Sequence, residues 1–148
     1  MGRREFQRGG IMLEFAVVAP IFFLMIFAIF DFGAALYQYG LVDNAARLGS
    51  RYAIVRGSGC LPALSGCPAT NANVQSYVVS QSPGIDQNTL HVTTTWPGGN
   101  PGCTSTNPPY NGAGCAVTVT ANYTFHFMLL AGYLPLNMSS TSSMVISQ

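Results

Sequence analysis

Hydrolysis by a side-chain nucleophile needs a hydroxyl or thiol, a base and an orienting carboxylate within hydrogen-bond reach. The bases on offer in this chain are His91 and His126, and beyond Arg56 the one carboxylate is Asp86. Serines are plentiful, so a Ser-His-Asp set can be written down, but none sits in the Gly-x-Ser-x-Gly turn that exposes a nucleophile. Both histidines fall on the polar phase of alternating segments and read as solvated surface residues. Paired carboxylates, a phosphate-cradling glycine loop opening a helix and a cofactor fingerprint are all missing from the sequence. The expectation is a protein that is not an enzyme and uses no cofactor.

The second chemically capable set is Cys60, Cys67, Cys103 and Cys115. Zinc sites are built from close pairs such as Cys-x-x-Cys, whereas six and eleven residues separate these cysteines pairwise. No metal site is expected. An even number of cysteines among Gly, Pro, Ser, Thr and Asn reads as a disulfide framework in an oxidising compartment. Of the three possible connectivities, Cys60–Cys67 with Cys103–Cys115 closes two local loops and asks least of the fold.

The third is Glu14. It stands at the head of an apolar run in which Phe15 to Phe30 carries no charge. A carboxylate in that setting is costly unless it is paired or lies near a membrane surface. Asp31 closes the run, seventeen residues or ~25 Å further along a helix, so the two acids bracket a hydrocarbon layer. Asp31 reads as a charge at the water boundary.

The composition supports a membrane segment. Of the 148 residues, 49% are hydrophobic and only 7% charged, against roughly 25% for ordinary soluble domains. Lysine is absent, and beyond Arg56 the sole charge is Asp86, so the basic stripe of a nucleic-acid binder is missing. Arg3, Arg4 and Arg8 favour a cytoplasmic N-terminus, but Arg47, Arg51 and Arg56 follow the apolar run. The cysteines break this tie, because they need the oxidising side.

A cleaved signal peptide is an alternative, with Gly33-Ala34-Ala35 as its small-residue site and Leu36 as the new start. Against it, the helical pattern runs straight through. Ala34, Tyr37, Leu41, Ala45, Leu48, Tyr52 and Val55 recur at steps of three and four, and Asp43, Arg47 and Arg51 line another face. One helix is expected from about Gly10 to Arg56, ~70 Å long, weakened locally at Pro20 and stopped at Gly57-Ser58-Gly59. Its membrane part covers about residues 11–32.

Residues 57–148 then read as an extracytoplasmic domain. A short helix is expected over Asn71–Ser82, capped by Thr70 or Asn71. Strand alternation follows over Leu90–Trp96 and Ala116–Phe127, and more weakly over Asn137–Ser147. Pro97 to Cys115, "PGGNPGCTSTNPPYNGAGC", is loop. The apolar connection Phe125–Asn137 reads as a folded-back core segment or a partner patch. The fold class is α+β: a long N-terminal transmembrane helix whose outer half packs on a small antiparallel sheet, a lollipop with disulfide-braced loops.

"GGIMLEF", Gly9 to Phe15, follows three arginines and enters the apolar helix. It resembles the processing site of type IV pilin-like proteins. The continuation to Gly57, with Glu14-Phe15, the interrupting Pro20, Asp31-Phe32-Gly33, Asn44-Ala45-Ala46-Arg47 and Arg51-Tyr52-Ala53, resembles the TadE-like family of minor pseudopilins of the Tad (Flp) pilus. The resemblance implies that a prepilin peptidase removes residues 1–9 as a cytoplasmic leader, cutting between Gly9 and Gly10. It implies that Glu14, with Phe15 beside it, serves subunit assembly by meeting the free amine of a neighbouring subunit. Asp31, Asp43, Arg47 and Arg51 would then mark helix surface used between subunits. The implied partners are the peptidase, other pilin and pseudopilin subunits and inner-membrane pilus assembly proteins. The implied location is the bacterial inner membrane, in a single pass, with possible entry into the pilus and a role in surface adhesion. An uncleaved membrane-anchored binding module and a secreted hydrolase are the competing readings.

Overall fold

The computed structural model describes residues 3–61, 63–106, 109–128 and 134–147, with side chains from residue 10 onward. Helix α1 (Arg3–Ile54) runs 52 residues, ~78 Å, straight through Pro20. It begins inside the segment read as a leader and ends at Ile54, two residues short of expectation. There the Arg56 N–H turns back to the Ala53 carbonyl at 3.1 Å.

Helix α2 (Asn71–Gln81) is capped by Thr70, whose hydroxyl accepts the Asn73 N–H at 3.2 Å. Asn71 is not needed as the cap, and its side-chain oxygen instead accepts the Thr94 N–H at 2.8 Å, tying α2 to the sheet. The sheet is antiparallel in the order β1 (Leu90–Thr95), β2 (Ala116–His126), β3 (Pro135–Val145). Thr94 lies opposite Val119, and Val119 opposite Ser142. The alternation expected on the first two strands is observed. Leu90, Val92, Val117, Val119, Ala121 and Phe125 are buried under the helices, while His91 and His126 face outward.

The sequence pattern marks β3 as the weak strand, over 137–147. It instead spans Pro135–Val145 and pairs with β2 along its whole length. Its inward positions include Ser140 and Ser142, which meet polar groups of α1 rather than apolar ones. The Ser142 and Ser50 hydroxyls are 2.9 Å apart, and the Ser140 hydroxyl donates to Asp43 at 2.9 Å. Serines on the core face erase the apolar alternation without weakening the strand.

The helix face that packs on the sheet differs in part from expectation. Of the stripe Ala34, Tyr37, Leu41, Ala45, Leu48, Tyr52 and Val55, Ala45 is buried and Leu41 and Tyr52 pack against the core, whereas Tyr37, 65% exposed, and Val55, 39% exposed, do not face it. The buried line is Ala35, Val42, Ala45, Ala46, Gly49, Ser50 and Ala53. Small residues let the helix backbone approach the strands closely, and bulk rather than hydropathy sets the facing side. A Cβ on Gly49 would stand 2.8 Å from Val119 Cγ1 and 3.1 Å from Val78 Cγ2.

Two disulfides, Cys60–Cys67 and Cys103–Cys115, brace the loops. In the second loop Asn100 holds the chain ends together: its Oδ1 accepts the Ala116 N–H at 3.0 Å and its amide donates to the Gly114 carbonyl. Part of this loop, residues 107 and 108, and the middle of the apolar connection, residues 129–133, lie outside the described residues.

Candidate assembly interface

The surface of greatest functional promise is the inner part of α1. The chain folds so that the sheet covers only the far half of the helix, and the stretch before Asp31 projects bare. Leu13 and Phe15 are each 72% exposed and Phe30 70%. By length and composition this is the one helix among the described residues suited to crossing a membrane.

Glu14 lies on this bare flank, exposed, in a shallow depression shared with Ile11, Phe15 and Val18. One helical turn brings Ile11 and Val18 onto its face, so the carboxylate is framed by apolar side chains. The arginines whose side chains are described, Arg47, Arg51 and Arg56, all lie beyond Asp43, more than ~45 Å along the helix from Glu14. None of them can neutralise it within one chain.

The other residues read as a helix interface do not act as one surface. Asp31, expected at the water boundary, is buried, and its Oδ1 accepts the Met128 backbone N–H at 3.2 Å. Asp43 pairs with Arg47 at 2.9 Å, one turn on, while also accepting from Ser140. Both acids thus hold the chain's own sheet against α1. Arg47 and Arg51 keep their side chains toward solvent and remain open to other contacts. The signal for this division was in the sequence: Asp31, Ala35, Val42, Ala46, Gly49 and Ala53 share one helical phase, but only Val42 on it is a large hydrophobe.

The residues considered for catalysis are not brought together. Asp86 Oδ1 accepts the Asn88 backbone N–H at 3.0 Å and its side-chain amide at 3.2 Å, closing the turn before β1. His91 sits opposite Asn122 and His126 opposite Pro135, both exposed on the outer sheet face. Among the described residues no hydrogen bond joins either histidine to Asp86, and no cluster of metal-ligating side chains forms.

Comparison with known proteins agrees with the exposed helix. Residues 9–51 match the family described as TadE-like protein. No curated protein and no solved structure matches the chain. The match suggests a component associated with the Tad pilus.

Proposed function

We propose that the chain is a minor pseudopilin of a Tad-type pilus. It is inserted once in the bacterial inner membrane with its N-terminus in the cytoplasm, cut after Gly9 by a prepilin peptidase, and assembled with other pilin subunits through α1. The observation that carries the reading is an exposed carboxylate, Glu14, without a partner among the described side chains, on the bare apolar flank of a helix whose residues 9–51 match a TadE-like family. Burying such a flank against neighbouring helices requires a partner for that charge. The amine created at Gly10 by cleavage is a cation four residues away in sequence, and on a neighbouring subunit it can lie level with Glu14.

The cleavage itself suits the local physics. A protease acts on unwound backbone, and Gly9-Gly10 places in α1 two adjacent residues that each weaken a helix by about 1 kcal/mol relative to alanine. Opening the helix is therefore cheapest at that bond. The rival cut near Gly33-Ala34-Ala35 falls inside α1, where Ala35 is already buried against the domain. It would sever the helix that the sheet packs on.

Mass spectrometry of the N-terminus is the test. A mature chain starting at Gly10 is expected in cells with an active peptidase, and Gly9→Arg should leave the chain inserted and unprocessed. An intact N-terminus in those cells would support the anchored binding module, and a start at Leu36 the secreted form.

A further inference from the structure

The end of the sheet nearest the membrane helix carries an apolar surface that the assembly reading does not use. β2 leaves the sheet at His126 and β3 enters at Pro135, and the described flanks of this connection are Phe127, Met128, Leu134 and Leu136. Met128 is 90% exposed, Leu134 57% and Leu136 41%. No charged residue occurs between Asp86 and the chain's last residue. A cluster of bare apolar groups is costly in water.

Their height along α1 is fixed by a specific contact. The Met128 N–H donates to Asp31, which pins Met128 beside the helix at that level. Asp31 lies twenty-one residues beyond Gly10, ~32 Å along the helix, about the thickness of a hydrocarbon core. With Gly10 at the cytoplasmic face, Met128 is level with the outer one. A backbone N–H at that depth has little water to bond to, and a buried carboxylate satisfies it.

The space between helix and connection has the shape of a chain-binding surface. A groove of about 410 Å³ lies among Phe27, Phe30, Asp31 and Met128. A second, of about 440 Å³, includes Phe32, Leu36, Tyr39, Phe127 and Leu136. Both are open at the side and walled mainly by apolar groups. Both continue the exposed apolar band of α1, so the medium that covers Phe27 and Phe30 reaches them without a break.

We propose that this end of the domain is seated on the outer leaflet of the membrane, with phospholipid acyl chains filling the groove at Phe27, Phe30 and Met128, and the second groove, which climbs past Asp31 to Tyr39, lying in the headgroup layer above them. The leaflet then supports the membrane-near end of a sheet whose other end is packed on α1 between Ala35 and Ala53. The inference rests on α1 spanning the membrane but not on the pilus reading.

The test uses full-length protein in vesicles of phosphatidylcholine, alone or brominated along the acyl chain, with Trp96 replaced by Phe to silence the native fluorophore. Met128→Trp should give blue-shifted emission that brominated lipid quenches by at least half and aqueous acrylamide hardly touches. Phe27→Trp reports the span itself and should also be quenched. Quenching of Phe27→Trp without Met128→Trp overturns the seating and leaves the span intact. Loss of both overturns the span and the seating together. A Met128→Trp signal shielded from bromine and acrylamide alike means that protein, not lipid, covers the patch, and also overturns the proposal.

Discussion

Between Ile11 and Phe30, α1 carries bulky side chains that its own chain leaves bare; between Ala35 and Ala53 the side chains that its own chain covers are mostly small. The same helix thus meets two different partners, and residue size separates them. A sheet is a firm, shaped surface, so close packing against it selects alanine, serine and glycine, whose small side chains bring the two backbones together. Lipid or a ring of neighbouring helices is a deformable or composite partner, and there Phe, Ile, Leu and Met offer the most apolar area. The acids follow the same division. Asp31 and Asp43 are satisfied inside the chain, while Glu14 stands exposed on the bare half.

The sharpest way to break this comparison is at Glu14. Glu14→Leu removes a charge from the bare half and touches nothing in the covered half. Leucine is cheaper than glutamate in lipid, so insertion should be at least as good as in the native chain. The Gly9–Gly10 bond is unchanged, so processing should persist. What is lost is the counter-charge for a neighbour's amine, and an unpaired buried charge costs about 3 kcal/mol or more, a loss of roughly 100-fold in assembly. Crosslinking to pilus components should fall accordingly while the melting curve of the solubilised protein stays put. Normal assembly of Glu14→Leu would reduce the carboxylate to a helix-start residue.

Gly49→Leu attacks the covered half. Already the first carbon of that side chain meets Val119 at 2.8 Å, Val78 at 3.1 Å and Val74 at 3.3 Å, and all three valines are fully buried. Neither strand nor helix can yield without opening the seam, so a destabilisation of about 3 kcal/mol is expected. Chemical denaturation should show the loss, with the membrane half still inserted. A variant as stable as the native chain would mean that α1 and the sheet are not packed in this register.

The two halves were unequally legible in the sequence. The bare half was open to reading because its signal is a long apolar run with few charges, and the helix and two strands followed from periodicity that burial then respected. The covered half misled in two places. A pattern of large side chains favours Tyr37 and Leu48 over Ala46 and Gly49, but packing against a sheet rewards closeness, which the larger residues prevent. On β3 the serines at 140 and 142 look like a solvent face, and their polar partners, Asp43 and Ser50, come from a helix about ninety residues away. No local pattern reveals such a pair. Asp31 was legible as a charge near the membrane boundary, but its bond to the Met128 N–H depends on where a distant strand ends.

The smallest effect expected comes from Gly40, and it sharpens the comparison because its sign is opposite to that at Gly49. Both glycines lie inside α1. A Cβ at Gly49 collides with the sheet, whereas a Cβ at Gly40 has nothing within 4 Å. In an exposed helix interior, glycine weakens the helix by roughly 0.5–1 kcal/mol relative to alanine, through the backbone freedom it gives the unfolded chain. Gly40→Ala should therefore stabilise the isolated protein by about that amount and raise its melting temperature by a few degrees, about 4 °C for a domain of this size. If a neighbouring subunit packs closely over this side of α1, the added methyl should weaken crosslinking to pilus components even as the monomer melts higher. A gain in both measurements would place Gly40 on a surface that no partner approaches closely. A lower melting temperature would mean that Gly40 is covered by its own chain, and that the covered half of α1 is wider than the small-residue line from Ala35 to Ala53.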